Sequence, residues 1–492
     1  MSHVRIYAEK DTYITEKSLT ANNGNNPVLE VWNKYDALKS KKEWARILIK
    51  FPFENIKDSV DNGDMPDPRT DTSISAFINM KNVKHGESVA SDFDIWALPL
   101  TASWVEGKGL DSETYEYEDV ANALSATNTM SWEDYNGGAS GGNVVLGAHN
   151  KEWDSNSGSQ YFEHGEENLK IDVTNYLKEF LDGNSANHGF MIRMSDIQEA
   201  KSVAEAQSLG VNESVATTDW FSKKFYSRET NTTNVPFVSL EWDSSIRDDR
   251  SRIPFSGSAS LFYYNFKNGQ LVDLDGAGKF PGTISLSADG ELIEPAGLTA
   301  ARYSKGVYVL NIGTAKNDNN LDIPLTGINI SLSSAQSFSD VWTITSTDEA
   351  LITSKTFYFD TKLPQVDAAN FYELSKYIVK MPNLKNSYEK GTNTFIKLFI
   401  KDLNARLESI TGLSNNMSSF ICNDGYVDIR EKITDAVEVE NIKLSYDQEG
   451  NYFPLNTNNL YRDVEYKIVV RLNIRGEVFY YDQPESWSFT VK

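Results

Sequence analysis

The residues best suited to chemistry are the five histidines, His3, His85, His149, His164 and His188. A hydrolytic zinc site needs three clustered ligands and an open fourth position. None of the five stands in an H-E-x-x-H arrangement or beside a nucleophile motif, so they read as surface or loop residues. Ser103-Trp104-Val105-Glu106-Gly107 could set an aromatic face for a sugar ring beside a carboxylate that takes hydroxyl protons. The competing reading, a strand-end Trp104 filling a core, is preferred because large aromatics dominate cores. Asp111 with Glu113, and Glu116 with Glu118 and Asp119, carry oxygens of the kind Ca²⁺ collects roughly six to eight at a time, but EF-hand spacing is missing and they read as solvated acids. A glycosidase needs two carboxylates ~5 to ~9 Å apart across a cleft. With 70 Asp and Glu in the chain, such pairs arise by chance and identify nothing. Gly137-Gly138-Ala139-Ser140-Gly141-Gly142 is not a phosphate loop, since no Lys-Ser/Thr pair follows and no helix opens there. No catalytic, cofactor-binding or metal-ligating residue is assigned, and the chain is not expected to be an enzyme.

The elements around these residues are strands. Ile47, Ile49 and Phe51 alternate with Arg46 and Lys50, and Tyr466, Ile468, Val470 and Leu472 alternate with Lys467 and Arg471. Gly306–Ile312 alternates in the same way. Successive strand side chains point to opposite faces, so this period of two predicts half-buried strands. Further strands are expected at Val4–Ala8, Asp11–Ile14, Val28–Trp32, Ile74–Met80, Asp94–Leu98, Gly189–Met194 and Pro236–Trp242. In the second half they fall at Val341–Ile344, Thr356–Phe359 and Phe395–Lys401. Turns are expected at Asn22–Pro27, Asn268-Gly269, Asp289-Gly290, Asp424-Gly425 and Glu449-Gly450. One helix stands out: Val173, Tyr176, Leu177, Phe180 and Leu181 form one apolar stripe, with Asp172 placed to cap it and Gly183 to end it. Polar excursions run through Thr114–Asn128, Asn136–Gly142 and Ala200–Thr218, and loops of this length are functional or mobile.

These elements group into residues 1–243, 253–360 and 370–492, with linkers at Ser244–Arg252 and Thr361–Ala369. A chain of 492 residues is long for one domain, and 24 Tyr, 24 Phe and 10 Trp are enough to fill several cores. The formal net charge of -23 would repel a phosphate backbone, so nucleic acid is not an expected partner. Cys422 is the lone cysteine, which excludes an intrachain disulfide and fits assembly in a reducing cytoplasm. The opening Met1–Arg5 carries no apolar signal core, and no run approaches the ~20 apolar residues of a membrane span. Export by a cleaved signal and membrane insertion are therefore not expected.

Several pieces of residues 4–243 together resemble the DNRLRE-type β-sandwich, a relative of carbohydrate-binding modules. They are Asp11-Thr12-Tyr13-Ile14, the turn at Asn23-Gly24-Asn25, Arg46–Phe51, Ser103–Gly107, Asp172-Val173-Thr174, and Phe225-Tyr226-Ser227-Arg228-Glu229 ahead of Pro236. The long inserts depart from the compact form of that family. The C-terminal half is similar to Ig-like domains of tailed-phage virion proteins through Val379–Tyr388 and Leu444–Phe453. The resemblance implies an all-β chain: an N-terminal jelly-roll-like β-sandwich with one short helix, then two Ig-like β-sandwiches. It implies no cofactor, apart from a place for a structural Ca²⁺ near the Asp11 strand. It also implies a non-enzymatic structural component of a contractile-tailed phage particle, in its neck, tail, capsid or fibres. Such a chain would assemble in the host cytoplasm and partner copies of itself and other virion proteins. The alternative is a carbohydrate-binding host-receptor adhesin with a host glycan as partner.

Overall fold

The computed structural model describes residues 2–36, 38, 41–84, 90–100, 102–110, 120–127, 132, 158–199, 220–251, 253–254, 259–267, 270–274, 280–288, 291–292, 298–312, 338–344, 354–359, 361–362, 377–402, 419–474 and 476–492. His85, His149, the acids from Asp111 to Asp119, the Gly137–Gly142 run, Ala200–Thr218 and the Asn268-Gly269 and Asp289-Gly290 dipeptides lie outside them. The chain is all-β and divides into two compact units, one made of His3–Asn62 and Asp67–Trp242, the other built on Asp243–Lys492.

The first unit carries β1 (Ser2–Tyr7), β2 (Lys10–Thr15), β3 (Val28–Asp36), β4 (Lys41–Lys50), helix α1 (Phe53–Asp61), β5 (Ser75–Met80), β6 (Phe93–Pro99), β7 (Gly158–Phe162), β8 (Leu169–Asp172), helix α2 (Thr174–Leu181), β9 (Phe190–Met194), the single turn α3 (Asp196–Glu199), β10 (Phe221–Tyr226) and β11 (Phe237–Trp242). One sheet runs β1-β11-β5-β8, and the other runs β10-β3-β4-β9-β6-β7 with β2 also on β4. The ten-residue β4 takes β3 along its first half, at Trp32↔Ala45 to Asp36↔Lys41, and β2 along its second, at Lys10↔Lys50 to Thr15↔Ala45.

β4 is not half-buried as its alternation predicts. Ile47 and Ile49 are buried, but so are Trp44, Arg46 and Leu48 on the opposite face. That second face is covered by the segment carrying Leu100, Ala102, Trp104, Ala121, Ala123, Ala126 and Trp132, which forms a core with Ile14, Trp44, Leu48 and Met191. Arg46 tolerates burial because its guanidinium meets the Glu199 carboxylate at 2.5 Å, with Arg193 3.5 Å from the same carboxylate. A buried charge is kept only when paired in this way.

The expected helix is α2, which begins one residue later than read, with Val173 at the cap position. Asp172 still supplies the capping oxygen, since its Oδ1 accepts the Thr174 N–H at 2.8 Å, and Gly183 ends the turn at φ +76°. The expectation of a single helix is corrected by α1, which buries Phe53 and Ile56 and brings the Phe53 ring within 6.2 Å of Tyr176 on α2. Pro52 precedes it, and Pro favours a helix start because it has no N–H to leave unpaired.

The second unit holds two cores. In the first, Ala259–Tyr264, Val307–Ile312 and Ala301–Ser304 form one sheet. Glu291–Leu292, Gly282–Ala288, Phe338–Ile344 and Ser354–Phe359 form the other. Between them Trp342, fully buried, stacks on Tyr263 at 5.3 Å and meets the Phe280 edge at 5.0 Å. Such aromatic burial contributes about 1.5–3 kcal/mol per side chain.

In the second core, Tyr377–Lys380, Asn393–Asp402, Asn451–Asn456 and Ser445–Tyr446 face a sheet of Ser387–Tyr388, Ser488–Val491, Glu465–Ile474, Asp424–Glu431 and Val437–Lys443. Glu477–Asp482 is joined to Glu465–Ile474. Val427, Ile468, Val470, Phe453 and Trp487 are among the side chains that fill it. Asp424-Gly425, read as a turn, instead opens a strand and pairs with Asn473 and Leu472. A Cβ at Gly425 would lie 2.5 Å from Leu444 Cδ1, so the glycine serves close packing rather than a bend. Glu449-Gly450 is a turn as expected, with Gly450 at φ +140° and the Asp447 carboxylate accepting the Glu449 and Gly450 N–H groups.

Candidate functional site

The first unit brings three carboxylates together. Asp11 lies on β2, Glu106 in the segment after β6, and Glu229 in the turn after β10. One oxygen from each falls within 4.8 Å of the others. Two glycines allow the approach. A Cβ on Gly24 would sit 2.3 Å from the Glu106 carbonyl oxygen, and one on Gly107, at φ +79°, would sit 2.4 Å from Asn22 Oδ1. Only glycine leaves that space and takes that backbone angle without strain. Asn22 then pins the segment, donating from Nδ2 to the Glu106 and Ala121 carbonyls at 2.8 and 2.9 Å and accepting the Gly109 N–H at 2.7 Å.

Held there, Glu106 Oε1 accepts the Asp11 backbone N–H at 2.7 Å. Asp11 Oδ2 accepts the Arg228 backbone N–H at 2.8 Å. The Arg228 guanidinium reaches Glu106 Oε2 at 2.9 Å and Glu229 Oε1 at 2.6 Å. Glu229 is set in place by its own N–H on Ser227 Oγ at 3.1 Å, and Ser227 Oγ donates to the Asn26 carbonyl at 2.5 Å. Asp11 is 1% exposed, and its carboxyl is hydrogen-bonded to that of Glu229.

Burial pushes the Asp11 carboxyl well above the usual range, and the negative charges of Glu229 and Glu106 push the same way against the pull of the Arg228 N–H. Burial also raises Glu106. Beside them Lys10 lies over the Trp104 ring at 4.2 Å and donates to the Trp104 carbonyl. Burial lowers its ammonium from the ordinary lysine value.

The arrangement is three clustered carboxylates, two of them paired to the Arg228 guanidinium and the third to its backbone N–H. One oxygen from each lies within 4.8 Å of the others, and all three are of the hard kind that the ion implied by the resemblance takes. Trp104 itself is 2% exposed in the core, with Nε1 donating to the His188 carbonyl at 3.0 Å. Its face is not open to a sugar, and Glu106 turns to Asp11 rather than serving as its polar hook. Burial and nearby Arg5 and Lys170 lower His3 to about 3, while His164 is exposed and His188 half-buried. Among the described residues the histidines join no metal-ligating group.

The second unit contains a different arrangement, at the stretch read as a linker. Ile246 packs against Phe262 and Val307. Its N–H donates to Ser445 Oγ at 2.9 Å, its carbonyl accepts the Tyr446 N–H at 3.0 Å, and the Asp248 N–H donates to the Tyr446 carbonyl at 3.2 Å. Asp249 accepts the Ser260 N–H on one oxygen and the Tyr446 hydroxyl on the other, both at 3.0 Å. The Tyr264 and Tyr452 hydroxyls meet at 3.0 Å. Arg250, 3% exposed, grips Asp340 through Nε and Nη2 and Asp248 through Nη1. The two sandwiches of this unit are thus tied by main chain and side chains together.

No family model matches the chain, and no curated protein matches it. Solved structures do. Titin domains Z1Z2 in complex with telethonin align at 9% identity over 51% of this chain and 93% of theirs, with a TM-score of 0.14. Three N-terminal domains of the bacteriophage RB49 highly immunogenic outer capsid protein align at 8% identity over 49% of this chain and 67% of theirs, with a TM-score of 0.14. A DUF4785-family protein from Legionella pneumophila aligns at 10% identity over 99% of this chain and 91% of its own, with a TM-score of 0.15.

Proposed function

We propose that the chain is a non-enzymatic structural component of a tailed-phage virion, associated with its neck, tail, capsid or fibres, and that it works as a docking scaffold. The observation that carries this reading is the tie between the two sandwiches of the second unit. A segment of an ordinary flexible linker would leave its main chain to water. Here residues 246–250 are hydrogen-bonded to one sandwich through Tyr446 and Ser445 and to the other through Ser260, Phe262 and Asp340. Such a tie suits a rigid spacer that transmits position rather than a hinge over a substrate.

The spacer offers surface for neighbours. Glu477–Asp482 pairs with Glu465–Ile474 alone among the described residues and exposes Val478 (51%) and Tyr480 (69%). Strand edges with exposed apolar side chains invite strand addition by another chain. Copies of this chain and other virion proteins are the proposed partners, and repetition of modest contacts around a symmetric particle supplies avidity. The resemblance of Val379–Tyr388 and Leu444–Phe453 to tailed-phage proteins supports the same setting.

The test is co-purification. Phage particles banded in a density gradient and analysed by quantitative mass spectrometry are expected to contain this chain at a fixed ratio to the major capsid protein. Recovery in the soluble lysate alone would contradict the proposal.

A further inference from the structure

Sheet edges add further strands unless charges, breaks in register or covering groups prevent it. Several edges of this chain are protected in that way. Gln448 Nε2 donates to the Tyr358 carbonyl at 2.9 Å on Ser354–Phe359, and the Val83 N–H donates to the Lys224 carbonyl at 3.0 Å on β10. Val437–Lys443 pairs with shifts in register and carries Glu438, Glu440 and Lys443. Glu477–Asp482 differs. It contains no Lys and no Pro, and its ladder with Glu465–Ile474 runs without a shift from Ile474↔Glu477 to Val469↔Asp482. Its inward side chains fix it to the core: the Phe479 ring lies 5.3 Å from Tyr377, and the Tyr481 hydroxyl donates to the Tyr377 carbonyl at 3.0 Å. Its outward side chains, Val478 and Tyr480, are exposed. The strand is thus held ready, with its apolar outer face and its second edge open among the described residues.

We propose that a second copy of this chain adds to that edge, the two Glu477–Asp482 strands pairing antiparallel about a two-fold axis at Phe479. The inference rests on the reading that copies of the chain are its partners, and it names the strand they use. A two-fold axis normal to the sheet keeps the inner faces of both copies on one side, so inward residues oppose inward ones. Centred on Phe479, it sets Val478 of each copy opposite Tyr480 of the other, two pairs of an aromatic with a β-branched side chain. Glu477 then faces Tyr481. Asp482 faces Gly476, where a Cβ would meet nothing within 4 Å, and its charge is already met by Lys467 at 2.8 Å. An axis at Tyr480 would put Val478 opposite Asp482, and an axis at Val478 would put Tyr480 opposite Gly476. The Phe479 register alone among these pairs both exposed apolar side chains and sets no acid against an acid. Such a contact uses up the edge in both copies, so association closes at the dimer.

The experiment uses the full purified chain without any particle, so its result and that of the co-purification are independent. Sedimentation equilibrium at rising concentration is expected to show a reversible monomer–dimer equilibrium and nothing larger. Tyr480→Lys, at a position 69% exposed, should fold as the parent does and weaken the dimer about tenfold. Cysteine pairing reads the register, because opposed residues of an antiparallel pair have Cα atoms about 4.5–5.5 Å apart, within disulfide reach. A mixture of the Val478→Cys and Tyr480→Cys proteins is expected to cross-link under a mild oxidant, and neither protein alone. Cys422 is buried and takes no part. A parent chain that stays monomeric up to about 100 μM would overturn the proposal. So would a dimer that Tyr480→Lys leaves unchanged, a mixture that does not cross-link, or a single-cysteine protein that cross-links to itself as readily as the mixture.

Discussion

The Tyr446 hydroxyl donates to Asp249 Oδ1 at 3.0 Å, while the other oxygen of the same carboxylate takes the Ser260 N–H. One aspartate therefore belongs to both sandwiches of the second unit. Asp249→Ala frees both donors, and hydrogen bonds to a charged group are worth about 1.5–3 kcal/mol. The expected outcome in differential scanning calorimetry is one transition for the second unit of the parent and two for the variant. Tyr446→Phe, which removes only the hydroxyl, should lower the melting temperature without splitting it.

Arg250 and Asp340 form the most deeply buried ion pair of this junction, with side chains 4% and 0% exposed and an N–O distance of 2.6 Å. Removing one partner leaves the other charged and dry. Arg250→Met is predicted to destabilise the second unit by about 3–5 kcal/mol, measured by urea denaturation followed through Trp342 fluorescence. A double variant, Arg250→Met with Asp340→Asn, should recover part of that loss.

Asp248 gives the junction a pH dependence. Burial, helped by the charge of Asp340 and opposed by Arg250, raises its carboxyl to about 6. The folded chain then holds a proton that the unfolded chain has already released, so stability falls as pH rises from about 4 to about 6. The loss is at most ~3 kcal/mol and is complete above the folded value. Asp243 behaves oppositely: burial raises it, but bonds from Lys443 and Ser245 outweigh that and bring it to about 2. Its contribution disappears only as pH drops from about 4 towards 2, outside the Asp248 window. Subtracting the stability profile of Asp248→Asn from that of the parent isolates the first term, and the difference should be flat above pH 6 and sloped between 4 and 6.

Trp104 separates scaffold from adhesin. It packs in the core on the second face of β4, so Trp104→Ala should cost about 3–5 kcal/mol by leaving a cavity. Thermal unfolding checks that cost. A glycan array probed with the full parent chain should stay silent. Selective binding to one glycan class would favour the adhesin.

Much of this architecture was legible in the sequence, for reasons visible in particular residues. The alternation at Tyr466–Leu472 survives because one face meets the Val427–Phe489 core and the other carries Lys467 and Arg471. At Arg46–Phe51 the same alternation misled, because the covering side chains, among them Leu100, Trp104, Ala121 and Trp132, are remote in sequence and a paired arginine can be buried. Helix α1 escaped notice since only Phe53 and Ile56 are buried along it, too few to establish a period. The carboxylate cluster was half legible. Asp11 was marked by the resemblance, but no local spacing links it to Glu106 or Glu229, which reach it only when the strands pair.

The central claim is that this chain builds a particle rather than transforms a substrate, and residue-resolution imaging of intact virions tests it most directly. The account predicts density for the tied sandwiches of the second unit at symmetry-related positions, with a neighbouring chain against the strand that exposes Val478 and Tyr480. Virions whose every protein density is assigned without this chain would contradict it.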